Sequence, residues 1–254
     1  MLSKSQIRFI TSLKQKKFRK LHGVFVVEGT KSVEEFIDSD YEVLSLFITP
    51  DATTKMSKIP RKIEFFEITD DELKKISNLT TPQGVLAVVK IPMEDEKDLS
   101  FVRETTSDMG FTLVLDDVQD PGNLGTIIRT ADWFGFSTLI CSVGSVDAYN
   151  PKAVQASMGS LARVRVLYTD LTDLFASSPL PVFGAVLDGQ SIYEIDFGKQ
   201  GFVLLGNEGQ GISPEIQSFI HHPVTIPRRG AAESLNVAIS AALFCSELYR
   251  RSPS

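Results

Sequence analysis

Short runs of β-branched and aromatic residues recur along this chain with helix-patterned stretches between them, and that alternation leaves few folds open to it. In the first part the runs are Val24–Val27, Val43–Ile48, Ile63–Ile68 and Val85–Val89. Between them lie Thr30–Asp38, Ala52–Lys58 and Asp70–Asn78, the last with Thr69 or Asp70 as its N-cap. After a polar, acid-rich stretch the alternation resumes with Phe111–Leu115, Thr138–Cys141, Val164–Leu167, Val182–Val186, Phe202–Leu205 and Val224–Ile226. Helices are expected at Leu124–Phe134, Pro151–Ser157, Leu171–Ala176, Pro214–Ile220 and Leu235–Arg250. Strands that are apolar along their whole length need cover on both faces. The fold class is therefore α/β, with a mainly parallel sheet flanked by helices and a smaller α/β domain in front of it. A length of 254 residues accommodates both parts. We expect a first domain over 1–92, a linker over 93–109 and a second domain over 110–254.

Several function classes drop out early. The isolated Cys141 and Cys245 make neither a disulfide framework nor a metal cluster. The most apolar long stretch, Val237–Cys245, is far short of a membrane span, and the N-terminus lacks the pattern of a secretory signal. The expected address is the cytoplasm, with no membrane partner. His22, His221 and His222 lack the spacing of a metal site or a triad and read as surface or packing residues. A magnesium site at Asp116, Asp117 and Asp120 is disfavoured because strand alternation would send the first two to opposite faces.

The net charge of −6 argues against a nucleic-acid partner until its distribution is considered. Lys4, Arg8, Lys14, Lys16, Lys17, Arg19 and Lys20 precede any acidic residue. Such a run is a solvated helix face or, with further motifs in support, an RNA-contacting one.

Three loops of the second domain each follow directly on an expected strand, where open α/β sheets usually hold ligands. The first is Asp116-Asp117-Val118-Gln119-Asp120-Pro121-Gly122-Asn123, with Asn123 as helix N-cap and Arg129 off the apolar stripe that follows. The second is Gly206-Asn207-Glu208-Gly209-Gln210-Gly211. Its glycine order matches neither the dinucleotide fingerprint nor a phosphate-binding P-loop. The third runs from Ile226 to Asn236, with Ser234 as the cap of the last helix and Asn236 in its first turn.

Together these runs resemble the signature motifs of the SpoU/TrmH group of RNA 2′-O-ribose methyltransferases, in the knotted SPOUT superfamily. Pro151–Ser160 lies between the first two motifs in the order that group shows. Phe25–Gly29 and Thr81–Ala87 resemble its ribosomal-protein-like substrate-binding domain. The resemblance implies a trefoil-knotted second domain and transfer of a methyl group from S-adenosylmethionine to a ribose 2′-hydroxyl. It implies catalytic roles for Arg129, Asn123, Glu208, Ser234 and Asn236. It implies cofactor contacts from Gly206, Ile226, Leu235, Leu187, Asn207 and Gly211, and no metal. It further implies a homodimer and an RNA partner rather than DNA, contacted partly by the basic segment from Lys4 to Lys20. A separate RNA-binding module favours ribosomal RNA as substrate. The alternatives are a tRNA 2′-O-methyltransferase and a catalytically silent RNA-binding protein of the same fold. Many members of the group carry Met where Arg228 stands here.

The family's proposed base would be Arg129, yet arginine ordinarily stays charged. Two readings stay open: an arginine that accepts the 2′-hydroxyl proton, with a substrate phosphate taking part, or one that clamps that phosphate while another group takes the proton.

Overall fold

The computed structural model describes residues 1–57, 59–92 and 110–251. The expected linker over 93–109 lies outside the described residues. The chain divides into two compact units, one of residues 1–94 with 147–163, the other of residues 95–146 with 164–254.

In the first unit, α1 (Lys4–Ser12) and α2 (Lys16–His22) precede β1 (Val24–Glu28). There follow α3 (Thr30–Ile37), β2 (Val43–Ile48), a single turn α4 (Pro50–Thr53), β3 (Glu64–Glu67), α5 (Asp70–Ile76) and β4 (Val85–Lys90). The strands form a mixed sheet in the order β1-β4-β2-β3. The period-2 geometry of β1 serves two cores at once. Val24 and Val26 pack with Leu2, Ile10, Leu13, Leu73 and Ile76. Phe25 meets Phe36 of α3 and Tyr149, with ring centroids 5.5 and 4.7 Å apart.

Tyr149 arrives with a segment from far along the chain, which adds α7 (Pro151–Ser157) and a 3₁₀ turn (Ser160–Ala162) to this unit. The helix expected over Ala52–Lys58 is the shorter α4, started by Pro50 at its first position. Thr69 caps α5 as expected, in a capping box with Glu72. Glu72 also accepts from the Leu2 N–H at 2.6 Å, which pins the start of α1.

The second unit holds β5 (Phe111–Leu115), α6 (Pro121–Trp133), β6 (Thr138–Ser142), β7 (Arg165–Thr169) and α8 (Leu171–Ser177). It continues with β8 (Val182–Ser191), β9 (Gly201–Leu205), α9 (Pro214–Gln217), β10 (His222–Thr225) and α10 (Val237–Arg251). Its six strands run β10-β8-β9-β5-β6-β7, and every pairing is parallel. Val114, Ile140, Phe202 and Leu204 pack with Leu174 and Phe175 of α8 and Ile216 of α9. On α6 and α10, which pack together, Leu124, Ile127, Ile128, Ala241, Phe244 and Cys245 are fully buried. Both sheet faces are covered, which is why β5 and β9 carry no polar alternation. All the carboxyl ends of these parallel strands lie along one edge of the sheet, and the three loops leave from there.

Candidate active site

Two helix starts in the second unit differ from their expected positions, and both differences bear on the site. Helix α6 begins at Pro121, with Asp120 as N-cap: its carboxylate accepts from the Asn123 N–H at 2.9 Å. Asp before Pro at the first helical position makes a strong start signal, so the helix opens one turn earlier than Leu124. Asn123 is therefore not the cap, and its side chain is free for another use. Ser234 is likewise not the cap of α10. Asn236 is: its Oδ1 accepts from the N–H groups of Ala238 at 2.9 Å and Ile239 at 3.3 Å. Ser234 stands exposed in the loop.

The freed amide of Asn123 joins the three loops. Its Nδ2 donates to Glu208 Oε1 at 2.6 Å, while its Oδ1 accepts from Asn236 Nδ2 at 3.0 Å. The bond to the carboxylate is charge-assisted, so it is the stronger of the two. The relay runs in one direction, from the capping amide of α10 through α6 to the carboxylate on the β9 loop. It fixes which way each amide faces.

The β9 loop is closed tightly on itself. Asn207 and Gly211 exchange N–H···O bonds of 2.9 Å in both directions. The Asn207 side chain donates to the Asp117 carbonyl at 2.8 Å and accepts from the Gly209 and Gln210 N–H groups. Main chain passes so close to Gly206 that a Cβ there would lie 2.3 Å from the Gly211 carbonyl carbon. Only glycine fits at 206. The hydrogen-bonding groups of Asn207 and the N–H and carbonyl of Gly211 thus hold the loop's shape. Asp116, buried just past β5, adds a clamp missed in the sequence: its Oδ2 accepts from both the N–H and the hydroxyl of Ser213, each at 2.7 Å. Asp116 and Asp117 both lie beyond the strand, and Asp117 takes a left-handed turn at φ 55°, so strand alternation does not govern them. A cleft of about 280 Å³ opens here, lined by Asp117, Ser142, Gly144, Asn207 and Ser213.

Of the expected cofactor contacts, Gly206 and Ile226 stand where β9 and β10 end, and Leu187 lies in β8, the strand between those two. Between β8 and β10 the register jumps: Pro223 pairs with Gly184 but Val224 with Gln190. The intervening residues of β8 leave the ladder there, with Leu187 at their centre. The Thr225 hydroxyl donates to the Leu187 carbonyl at 2.9 Å. Leu187, where β8 leaves the ladder, is 69% exposed, and Leu235, one residue before the capping Asn236, is 47% exposed. Main-chain polar groups at the strand ends and these uncovered apolar side chains suit a flat, hydrogen-bonding heterocycle such as adenine. Arg228 closes the third loop by donating to the Ala232 carbonyl at 2.8 Å.

Arg129 lies on α6 beyond Asn123 and is exposed; among the described residues nothing pairs with its guanidinium. Arg19 departs from its expected role. It is 2% exposed, donates to Asp147 at 2.6 and 3.1 Å, and also bonds the carbonyls of Leu13 and Lys14. A buried guanidinium saturated in this way is a structural staple and leaves the RNA-contacting set. Lys4, Arg8, Lys14, Lys16, Lys17 and Lys20 remain exposed.

Comparison with known proteins matches two parts of the chain, with 147–163 falling in the second of them. A family model described as the SpoU rRNA Methylase family matches residues 110–246, and one described as an MRM3-like substrate binding domain matches residues 4–87. The chain is 31% identical over 255 residues to the 23S rRNA (guanosine(2553)-2′-O)-methyltransferase RlmP of Bacillus subtilis, covering 96% of this chain and 98% of that protein. Among solved structures it resembles an RNA methyltransferase assigned to the TrmH family from Porphyromonas gingivalis: 43% identity, TM-score 0.87, 99% of this chain and 100% of that one. An AdoMet-bound rRNA methyltransferase from Sinorhizobium meliloti is 28% identical, with TM-score 0.87 over 100% and 97% of the two chains.

Proposed function

This chain belongs to the SpoU rRNA methylase family, and from that premise we propose that it methylates a ribose 2′-hydroxyl in ribosomal RNA, using S-adenosylmethionine. The observation that carries this reading is the Asn236–Asn123–Glu208 relay, which ties three strand-end loops, far apart in sequence, into one arrangement. Gly206, Ile226, Leu187 and Leu235 would hold the cofactor, with the two leucines as apolar walls. When bound, S-adenosylmethionine supplies a methyl group on a sulfonium that leaves as a neutral thioether, so no metal has to activate it. The chain's own residues have two tasks: orienting the ribose and raising the electron density of its oxygen. Asn123, Glu208 and Asn236 would orient the sugar, with Ser234 beside them. Arg129 acts as a clamp. Its guanidinium would grip the phosphate beside the target ribose and stabilise the alkoxide character that grows on the 2′-oxygen as its proton passes to water and the oxygen takes the methyl group.

The relatives' activity on 23S rRNA supports an rRNA substrate, with residues 1–92 as the RNA-binding part and 110–254 as the catalytic part. A homodimer in the cytoplasm completes the proposal. Trp133 of α6 is 84% exposed and Ile239 of α10 52%; uncovered apolar side chains on these two helices suit a second copy, and Arg129 on α6 would then complete the partner's pocket. Arg129→Lys should keep cofactor binding, read by calorimetry, yet lower turnover at least about 100-fold, because an ammonium cannot hold phosphate bidentately. Turnover within a few-fold of wild type would remove Arg129 from the chemistry.

A further inference from the structure

Helix α1 presents two unlike faces. Ile10, with Ile7 packed beside it and Leu2 and Leu13 just outside the helix ends, enters the core of the first unit. Lys4, Arg8, Phe9 and Ser12 instead line a cleft of about 500 Å³, closed on its other side by Phe18 and His22 of α2. The aromatic rings are arranged around each other. Phe9 meets His22 edge-on at 5.1 Å, Phe18 stacks with His22 at 6.4 Å and 14°, and Lys17 Nζ lies 4.8 Å from the Phe18 centroid. Phe9 is 37% exposed, so the core does not use all of it.

We propose that this cleft takes an unpaired nucleobase of the RNA substrate, stacked among Phe9, Phe18 and His22 with its phosphates on Lys4 and Arg8; the proposal rests on the reading of this chain as an RNA-modifying enzyme. Charge complementarity selects the occupant. The chain carries −6 overall, yet no acidic residue precedes Glu28, and six of the seven early basic side chains are exposed. Cations alone would suit any polyanion. Cations interleaved with ring faces suit a polyanion whose repeating unit is itself a flat π-system. A base-paired nucleotide has both faces covered by its neighbours and cannot enter, so the occupant is unpaired.

The test uses the full chain and two fluorescein-labelled RNAs of equal length, a hairpin with an unpaired loop and a fully paired duplex, followed by anisotropy. Phe9→Ala and Phe18→Ala should each weaken hairpin binding about tenfold or more and leave duplex binding unchanged, while Phe9→Tyr restores the wild-type affinity. Lys4→Gln should weaken both probes alike and reduce the salt slope by about one. Wild-type affinity in the aromatic variants overturns the proposal, as do equal losses on both probes, which would mark a general electrostatic patch. So does displacement of the hairpin by polyglutamate with no aromatic dependence, which would mark an acidic protein partner. If Phe18→Ala fails to fold, crosslinking from 4-thiouridine in the hairpin loop of the wild-type complex decides: adducts within residues 4–22 support the cleft, and adducts only elsewhere overturn it. Methyl transfer is read separately. A protein that binds through the cleft but transfers no methyl group contradicts the reaction alone. One that methylates while Phe9→Ala and Phe18→Ala change nothing contradicts the cleft alone.

Discussion

The Asn123 side chain makes one hydrogen bond to a carboxylate and one to an amide, and neither partner is near it in sequence. Removing its side chain leaves the half-buried Glu208 without this donor. Asn123→Ala should therefore cost about 1–3 kcal/mol of stability, read as a lower denaturation midpoint with unchanged slope. Asn123→Asp should cost more, because it sets a second carboxylate against the first. Equal stability in all three proteins would show that the relay contributes nothing. At this scale the sequence was only partly legible. Asn123, Glu208 and Asn236 were picked out by their resemblance to known motifs. Their pairing was invisible, because hydrogen bonds across 85 and 113 residues leave no local pattern. Arg19 shows the opposite limit. It reads as one more cation in a basic stripe, yet its partner Asp147 lies 128 residues away and the fold buries it.

Helix α10 illustrates what an element adds. Its first turn is fixed by Asn236, and its last turn by Glu247, which bonds Arg250 at 2.6 and 2.9 Å and Arg251 at 2.7 Å. Arg251 in turn donates to the carbonyls of Ile192 and Ile195, tethering the helix end to the segment after β8. Arg250 first, and then Arg251, hold the Glu247 carboxyl down from 4.5 to about 2, against the opposing effect of burial. A lowered folded-state pKa means that the unfolded chain takes up the proton first as pH falls. The stability from Glu247 is present in full above about pH 4.5 and is lost progressively toward pH 2. Melting temperature should fall across that window in the wild type and fall less steeply in Glu247→Gln; parallel curves would contradict the assignment. Element types were largely legible because hydrophobic period carries them: β2, β5 and α7 match their expected bounds. Helix starts were less so. Ser234 and Asn236 are both good caps, as are Asp120 and Asn123, and only the path of the chain into the helix selects between them.

At the scale of the molecule, a six-stranded parallel sheet brings its carboxyl ends to one edge, and the loops after β5, β9 and β10 meet there through side chains instead of through continuous backbone. Alternating runs were enough to anticipate that sheet, since strands buried on both faces have few other architectures. The assignment of 147–163 to the first compact unit was not legible, because nothing local distinguishes a helix that packs on its own sheet from one that packs elsewhere. The central claim is that this edge directs methyl transfer to a ribose oxygen and not to a base. Protein-free ribosomal RNA incubated with the chain and methyl-labelled S-adenosylmethionine, then hydrolysed in alkali, tests it directly. A methylated 2′-oxygen cannot attack its own phosphodiester, so the account predicts all of the label in a single alkali-resistant dinucleotide. Label released as a methylated mononucleotide, or no label at all, would contradict it.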